Sequence, residues 1–237
     1  VANGSDNGET GYITLHLGGC VGVQFNLNWT TLTELTNYGN ITLNASYSSG
    51  TWNIAGVIGY CYTTTATKFY NYGDITYNSG SPYAMRIGGA IGYIPDSGIA
   101  SHLYNEGDIL VKEGVGIKGS LYVGGVVTYH AGGVDGMLSD CVNDGDITID
   151  ADMSNDSVNG YFRIGGVASW HQCSAERLTN NGDVKVSSRL FNAQKDNHYL
   201  CIAGVIGYRT VTGSTDMKNT GDVTFTGKVE TTEGTDL

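Results

Sequence analysis

Along much of the chain apolar residues fall at every second position, the period of a β-strand and not the 3.6-residue period of a helix. In LTNYGNITL the residues Leu35, Asn37, Gly39, Ile41 and Leu43 share one face, while most intervening positions are polar. The same nine-residue pattern returns as FYNYGDITY, LYNEGDILV, CVNDGDITI, LTNNGDVKV and MKNTGDVTF. Its glycine falls at Gly39, Gly73, Gly107, Gly145, Gly182 and Gly221, so each unit runs from the mid-thirties to about forty residues. Stacking the copies predicts an inward column of Leu35, Phe69, Leu103, Cys141, Leu178 and Met217, then a column of Asn, a column of Gly, and a column of Ile and Val.

An inward Asn among apolar neighbours is costly unless its amide is bonded. A ladder of identical amides on stacked parallel strands gives every amide a partner above and below, which explains why the motif cannot vary freely. The Gly two residues later is expected to supply a backbone bend that other residues resist. A second motif alternates with the first: LGGCVGV, IAGVIGY, IGGAIGY, VGGVVTY, IGGVASW and IAGVIGY. It also has the strand period, with Ile54, Gly56, Ile58 and Tyr60 on a bulky side expected to fill the core. Ala55, Val57 and Gly59 make a flat side, suited to being covered by another segment or another chain.

Units of two or three short strands that cannot bury a core alone define an all-β solenoid, a parallel β-helix of about six coils. The whole chain, residues 1–237, reads as one such repeat domain, a section of a longer surface protein. The alternative is a six-bladed β-propeller, which wants longer blades than these units supply. Variable segments between the motifs are expected to loop out from one edge, and the polar ends VANGSDNGET and VETTEGTDL could cap the stack.

Composition agrees and narrows the partners. The chain has 36 Gly, 2 Pro and 16 Tyr, a mixture that suits strands and tight turns. A formal charge of −11 repels phosphate backbones and anionic lipid surfaces, so nucleic acid is not an expected partner. No apolar run is long enough for a membrane span, and the first residues lack the basic start and apolar stretch of a signal peptide. The five cysteines fall at unrelated positions of the repeat with no CxxC, so they read as buried thiols and not as a disulfide framework.

GGAIGYIP followed by LYNEGDI, and GGVVTYH followed by CVNDGDI, resemble the GLUG motif of bacterial cell-surface and secreted proteins, adhesins among them. The resemblance covers essentially the whole chain as six copies. Only Cys141 matches the family's cysteine position; the other copies have Leu, Phe or Met there. It implies an extracellular bacterial surface module and carries over no catalytic residue, cofactor or metal.

Three candidate sites stand out. Tyr38 and Tyr72 fall in one outward column and Tyr70 and Tyr104 in the next, beside Asp74 and Asp108, a ring platform with a polar rim suited to a glycan. Asp74, Asp108, Asp146, Asp183 and Asp222, with Asn40 in the first copy, form an acidic column. Each side chain is expected to bond a backbone N–H in its own turn, with Ca²⁺ as the sharper reading. His130 and His171 fall at equivalent positions of adjacent units, with Asp135 and Cys173 nearby, and read as a solvated turn feature with no metal expected. Arg86 and Arg163 share a column two units apart, too dispersed to serve a polysaccharide lyase or hydrolase. The expected role is an adhesin-like, glycan-binding module or a rigid stalk, not an enzyme, with a carbohydrate-active enzyme as the alternative. Its partners would be a host or microbial surface glycan or protein, or further copies through the solenoid ends or the flat Gly/Val face.

Overall fold

The computed structural model describes residues 14–25, 31–44, 50–63, 65–79, 83–116, 119–133, 135–152, 160–192, 199–211 and 213–230. They form four parallel six-stranded sheets. Sheet 1 holds Leu15–Gly18, Thr51–Ala55, Ala84–Gly88, Ser120–Gly124, Tyr161–Gly165 and Tyr199–Ala203. Sheet 2 holds Val21–Phe25, Ile58–Tyr62, Ile91–Ile94, Val127–His130, Ala168–His171 and Ile206–Arg209. Sheet 3 holds Thr31–Asn37, Thr65–Asn71, Ile99–Asn105, Met137–Asn143, Ser174–Asn180 and Ser214–Asn219. Sheet 4 holds Ile41–Asn44, Ile75–Ser79, Ile109–Gly116, Ile147–Asp152, Val184–Asn192 and Val223–Glu230.

Each coil visits the four sheets in turn, and each strand pairs with its equivalents one coil away. This is the expected β-solenoid and not a propeller: about five turns separate the first from the last strand of each sheet. Register follows the motif, with Asn37 opposite Asn71, Asn71 opposite Asn105 and Asn105 opposite Asn143. All variable segments connect sheet 4 to sheet 1, along one edge as expected, but their central residues lie outside the described ones. The same holds for residues 1–13 and 231–237, where most of the expected caps fall.

The amide ladder forms as predicted. Each Asn Nδ2 donates to the Oδ1 of the next, at 2.8 Å from Asn37 through Asn219, and also to the carbonyl of the Gly two residues later, at 2.7 Å for Asn71. The ladder divides the interior. On one side, sheets 1 and 4 enclose Trp52, Ile54, Ile75, Tyr77, Met85, Ile109, Ile147 and Phe162; on the other, sheets 2 and 3 enclose Val57, Ile58, Cys61, Phe69, Leu103, Cys141 and Leu178.

The second motif packs directly on this seam. A Cβ at Gly56 would lie 2.2 Å from Asn71 Cγ, so only a bare Cα admits the amide. The chain bends at the repeat Gly of the first motif as expected, but without a positive φ, so close approach and not the bend itself demands Gly there. Positive φ among the described glycines occurs only at Gly50 and Gly213, whereas a Cβ at Gly73 would meet the Gly39 carbonyl oxygen at 2.2 Å.

The left-handed backbone sits elsewhere, at Glu34, Lys68, His102, Asp140, Arg177 and Asp216, with φ between 51° and 61°. One such residue per coil falls within the sheet-3 strand, three residues before its Asn. Holding a side-chain-bearing residue there costs on the order of 1 kcal/mol or more. Charge pairing up the column offsets part of it: Lys68 Nζ lies 3.0 Å from Glu34, and Arg177 grips Asp140 with two hydrogen bonds.

Candidate functional site

Where the second motif crosses from sheet 1 to sheet 2, the chain bends at Gly56–Val57 and the alternation changes parity. Ile54 points into the first compartment, whereas Tyr60, expected beside it in the core, lies outside on a half-exposed face. The supposedly flat side is internal: Ala55 and Val57 are fully buried, and a Cβ at Gly59 would meet the backbone of Leu17, Asn53 and Gly22 at under 3 Å. That face is therefore not available to a second copy.

The bend brings the outer faces of sheets 1 and 2 together in a cleft that the sequence reading missed. Its sheet-2 wall is the column Tyr60, Tyr93, Tyr129, Trp170 and Tyr208; Tyr129 and Trp170 stack at 4.2 Å with planes 3° apart. Arg86 and Arg163 project from sheet 1. The Arg86 guanidinium lies 4.3 Å from the Tyr93 ring centre and donates to Asn53 Oδ1 at 3.1 Å. Arg163, only 5% exposed, lies 4.0 Å from the ring centres of both Trp170 and Tyr208. Among the described residues no acidic group reaches either arginine, so ring faces hold the cations in place of carboxylates. Burial pulls the Arg86 guanidinium below its usual range, with neighbouring tyrosines opposing the shift. The available signal was the pairing of Arg with aromatics across the Gly-Gly corner, but reading it requires knowing that the corner inverts the alternation.

The predicted Tyr platform assembles in part. Tyr38 and Tyr72 stack at 5.0 Å with planes 8° apart, and Tyr104 leans against Tyr72 at 5.8 Å. Tyr70 pairs in register with Tyr104 but joins no ring contact among the described residues. Tyr38 is 76% exposed and Tyr72 39%. Tyr38 covers one face of the Tyr72 ring and Tyr104 leans against it at 58°, so the ladder presents mainly ring edges and hydroxyls, plus one face of Tyr38. The Tyr104 hydroxyl lies 2.7 Å from Asp144 and 3.2 Å from Glu106; partial burial and these two carboxylates hold the phenol well above its usual range.

The acidic column is satisfied differently from the expectation. Each side chain accepts from the backbone N–H of the next coil's Asp and not from its own turn: Asp74 N–H to Asn40 at 2.9 Å, Asp108 N–H to Asp74 at 3.0 Å, Asp146 N–H to Asp108 at 2.8 Å. The series continues through Asp183 to Asp222. Lys185 lies 2.8 Å from Asp183 and 3.5 Å from Asp146, relieving repulsion in the upper coils. Asp74 and Asp108 have no such cation among the described residues and each keeps one oxygen turned to solvent beside the Tyr ladder.

His130, His171 and Cys173 are brought together and fully buried, where a solvated turn was expected; Asp135 is exposed and apart from them. Burial holds His130 down to about 3, with His171 adding to the shift, and His171 down to about 4, with Arg209 adding to it; burial also pushes the Cys173 thiol up to about 12 against the opposing pull of nearby backbone hydrogen bonds. No disulfide forms among the five cysteines, in line with the sequence reading.

A scan against protein-family models finds no match, and searches of curated proteins and of solved structures find no significant match either. The fold and class are therefore defined by the chain itself: an all-β parallel solenoid of repeats, with no described helix long and apolar enough to cross a membrane.

Proposed function

We propose that this chain is a rigid repeat module of a secreted or surface-displayed bacterial protein, a stalk that carries an adhesin-like contact face. The observation that supports it is the uninterrupted axial bonding. Amide ladder, Asp column and sheet hydrogen bonds all run from coil to coil, so bending or stretching the stack must break many bonds together. The GLUG-like motifs point to the same extracellular setting.

The contact face in this reading is the ladder of Tyr38, Tyr72 and Tyr104 with the free carboxylate oxygens of Asp74 and Asp108. A sugar can lie along the ring edges of the ladder with its hydroxyls bonded to the acidic rim, and a second ring can stack on the open face of Tyr38. Neutral or cationic surface glycans or proteins suit the net charge of −11, whereas nucleic acid and anionic lipid do not.

The test combines a glycan array and whole-cell adhesion assays on the chain and on Tyr38→Ala/Tyr72→Ala. Loss of at least about tenfold in retained binding, with the fold intact by circular dichroism, supports the contact face. Undiminished binding moves that face elsewhere, and silence of the parent chain on every surface removes the adhesive role. Thinning of an acidic polysaccharide solution on incubation would replace the reading with a carbohydrate-active enzyme.

A further inference from the structure

The second compartment contains a polar group that the fold itself does not use. His130 and His171 occupy paired positions on neighbouring sheet-2 strands, with ring centres 5.3 Å apart and planes tilted by 59°. Cys173 follows two residues after His171 and turns back beneath the Gly132 carbonyl, to which its thiol donates. One ring nitrogen of each histidine and the Cys173 sulfur all lie within 4.8 Å of one another, and all three residues are fully buried.

Each imidazole keeps a ring nitrogen without a hydrogen-bond partner. Nε2 of His171 lies 3.1 Å from the Ser174 carbonyl, which can only accept, so that nitrogen carries the proton and Nδ1 keeps its lone pair. Nδ1 has no hydrogen-bond partner. Neither ring nitrogen of His130 makes a well-formed hydrogen bond, although the Gly98 carbonyl is near enough to favour its protonated form slightly. Leaving such groups buried and unpaired costs stability. The same column holds buried Cys61 and Ile94 in earlier coils, so the scaffold accepts apolar residues there without difficulty.

We propose that His130, His171 and Cys173 form a buried binding site for a borderline-soft transition-metal ion, with zinc(II) as the probe. Two imidazole nitrogens and a sulfur are the donor set such ions prefer, while the absence of a carboxylate from the cluster disfavours calcium and magnesium. The Ser174 carbonyl orients the His171 ring as an outer partner of a ligand does. Both imidazoles are held neutral by burial, so no proton competes for their lone pairs near neutral pH. As a metal–sulfur bond forms, the thiol proton leaves to solvent and the bond to Gly132 is given up. Arg209, paired with His171 on the next strand, opposes a cation, and the thiolate charge offsets it.

The site is enclosed, so the experiment refolds the full chain from denaturant with reductant and excess zinc(II), removes free metal and measures metal content. The expected result is one zinc per chain. Refolding with cobalt(II) in place of zinc should give a thiolate-to-cobalt charge-transfer band. Cys173→Ser and His130→Asn should each lose affinity at least about tenfold, whereas Cys20→Ser, at an exposed thiol, should bind as the parent does. Zinc at background in the folded parent, a cobalt spectrum without the thiolate band, or undiminished binding by folded Cys173→Ser each overturns the site. Should Cys173→Ser not fold, the cobalt band of the parent decides. None of these outcomes bears on the stalk and its contact face.

Discussion

The two compartments on either side of the amide ladder share a backbone frame, yet they are filled differently. The first is packed mainly with bulky aliphatic and aromatic side chains, Ile54, Ile87 and Ile164 facing Ile75, Ile109 and Ile147. The second mixes Phe69, Leu103 and Leu178 with small residues, Ala66, Ala100 and Ala175, and with Cys61 and Cys141. In its upper coils it also takes in His130, His171 and Cys173. The difference teaches where each part of the fold gets its definition. The first compartment depends on apolar volume; the second is framed by the seam on one side and the Arg–aromatic cleft on the other, and can admit polar groups.

Breaking the seam should therefore cost more than emptying either compartment. Asn143 donates to Asn180 at 2.8 Å and to the Gly145 carbonyl at 2.7 Å, and accepts from Asn105 at 2.8 Å. Asn143→Leu keeps the approximate shape and leaves three buried polar groups unpaired. At about 1–3 kcal/mol for each, a loss of about 3–9 kcal/mol is expected in urea unfolding. Asn219→Leu, at the exposed end of the ladder, should lose less than half as much. Equal losses at the two positions would mean that the ladder does not act as a continuous seam.

This seam was the most legible part of the sequence, because an amide ladder demands the same residue at the same place in every copy. Repetition also made the coil count and the outward Tyr38–Tyr72 pair readable. The Gly56–Val57 bend was not, since alternation predicts faces only while the strand stays extended; with parity reversed, Tyr60 went outside and Val57 inside. The Arg–aromatic cleft was lost with it. The left-handed column from Glu34 to Asp216 was hidden because side-chain-bearing residues occupy it. For His130 and His171 the proximity was readable, but burial was not, since their column, shared with Ile94, turns inward only because parity reverses at the bend.

Within the compartments, Ile109→Ala should cost about 2–5 kcal/mol, since the neighbouring coils fix its cavity. Cys141→Ala, on the other side of the ladder, removes one buried sulfur and should cost about 1 kcal/mol. Matched urea titrations of the two variants measure the contrast directly. A Cys141→Ala loss as large as that of Ile109→Ala would show the compartments to be equally dependent on packing.

Acid should single out the second compartment. In metal-free protein His130 and His171 titrate near 3 and 4, against 6.5 when unfolded, chiefly because burial penalises the charged ring. Below pH 6.5 the unfolded chain takes up protons that the folded chain refuses. Stability is therefore complete above that pH, falls as pH drops, and levels off only below the folded values. The loss should be about 1 kcal/mol per histidine by pH 5.5. Half-buried His16 adds in the same direction, while Asp140 and Asp183, both held below the ordinary carboxylate range, titrate at lower pH. Unfolding measured with a chelator from pH 7.5 to 5 should show the slope, and His130→Asn/His171→Asn should flatten most of it. An unchanged slope in that double variant would place the acid sensitivity outside the compartment.

The smallest effect is expected on the outside of the stack, where neither compartment is touched. Tyr72→Ala removes ring contacts to Tyr38 and Tyr104, and an exposed ladder of this kind contributes roughly 0.2–1 kcal/mol. Tyr129→Ala removes a ring stacked on both Tyr93 and Trp170 and close to Arg86 in the cleft, so it should cost more than Tyr72→Ala. Thermal unfolding of the two variants tests whether the cleft helps frame the second compartment. If Tyr72→Ala proves the more damaging, the outer ladder is structural, and its rings are not free to serve as a contact face.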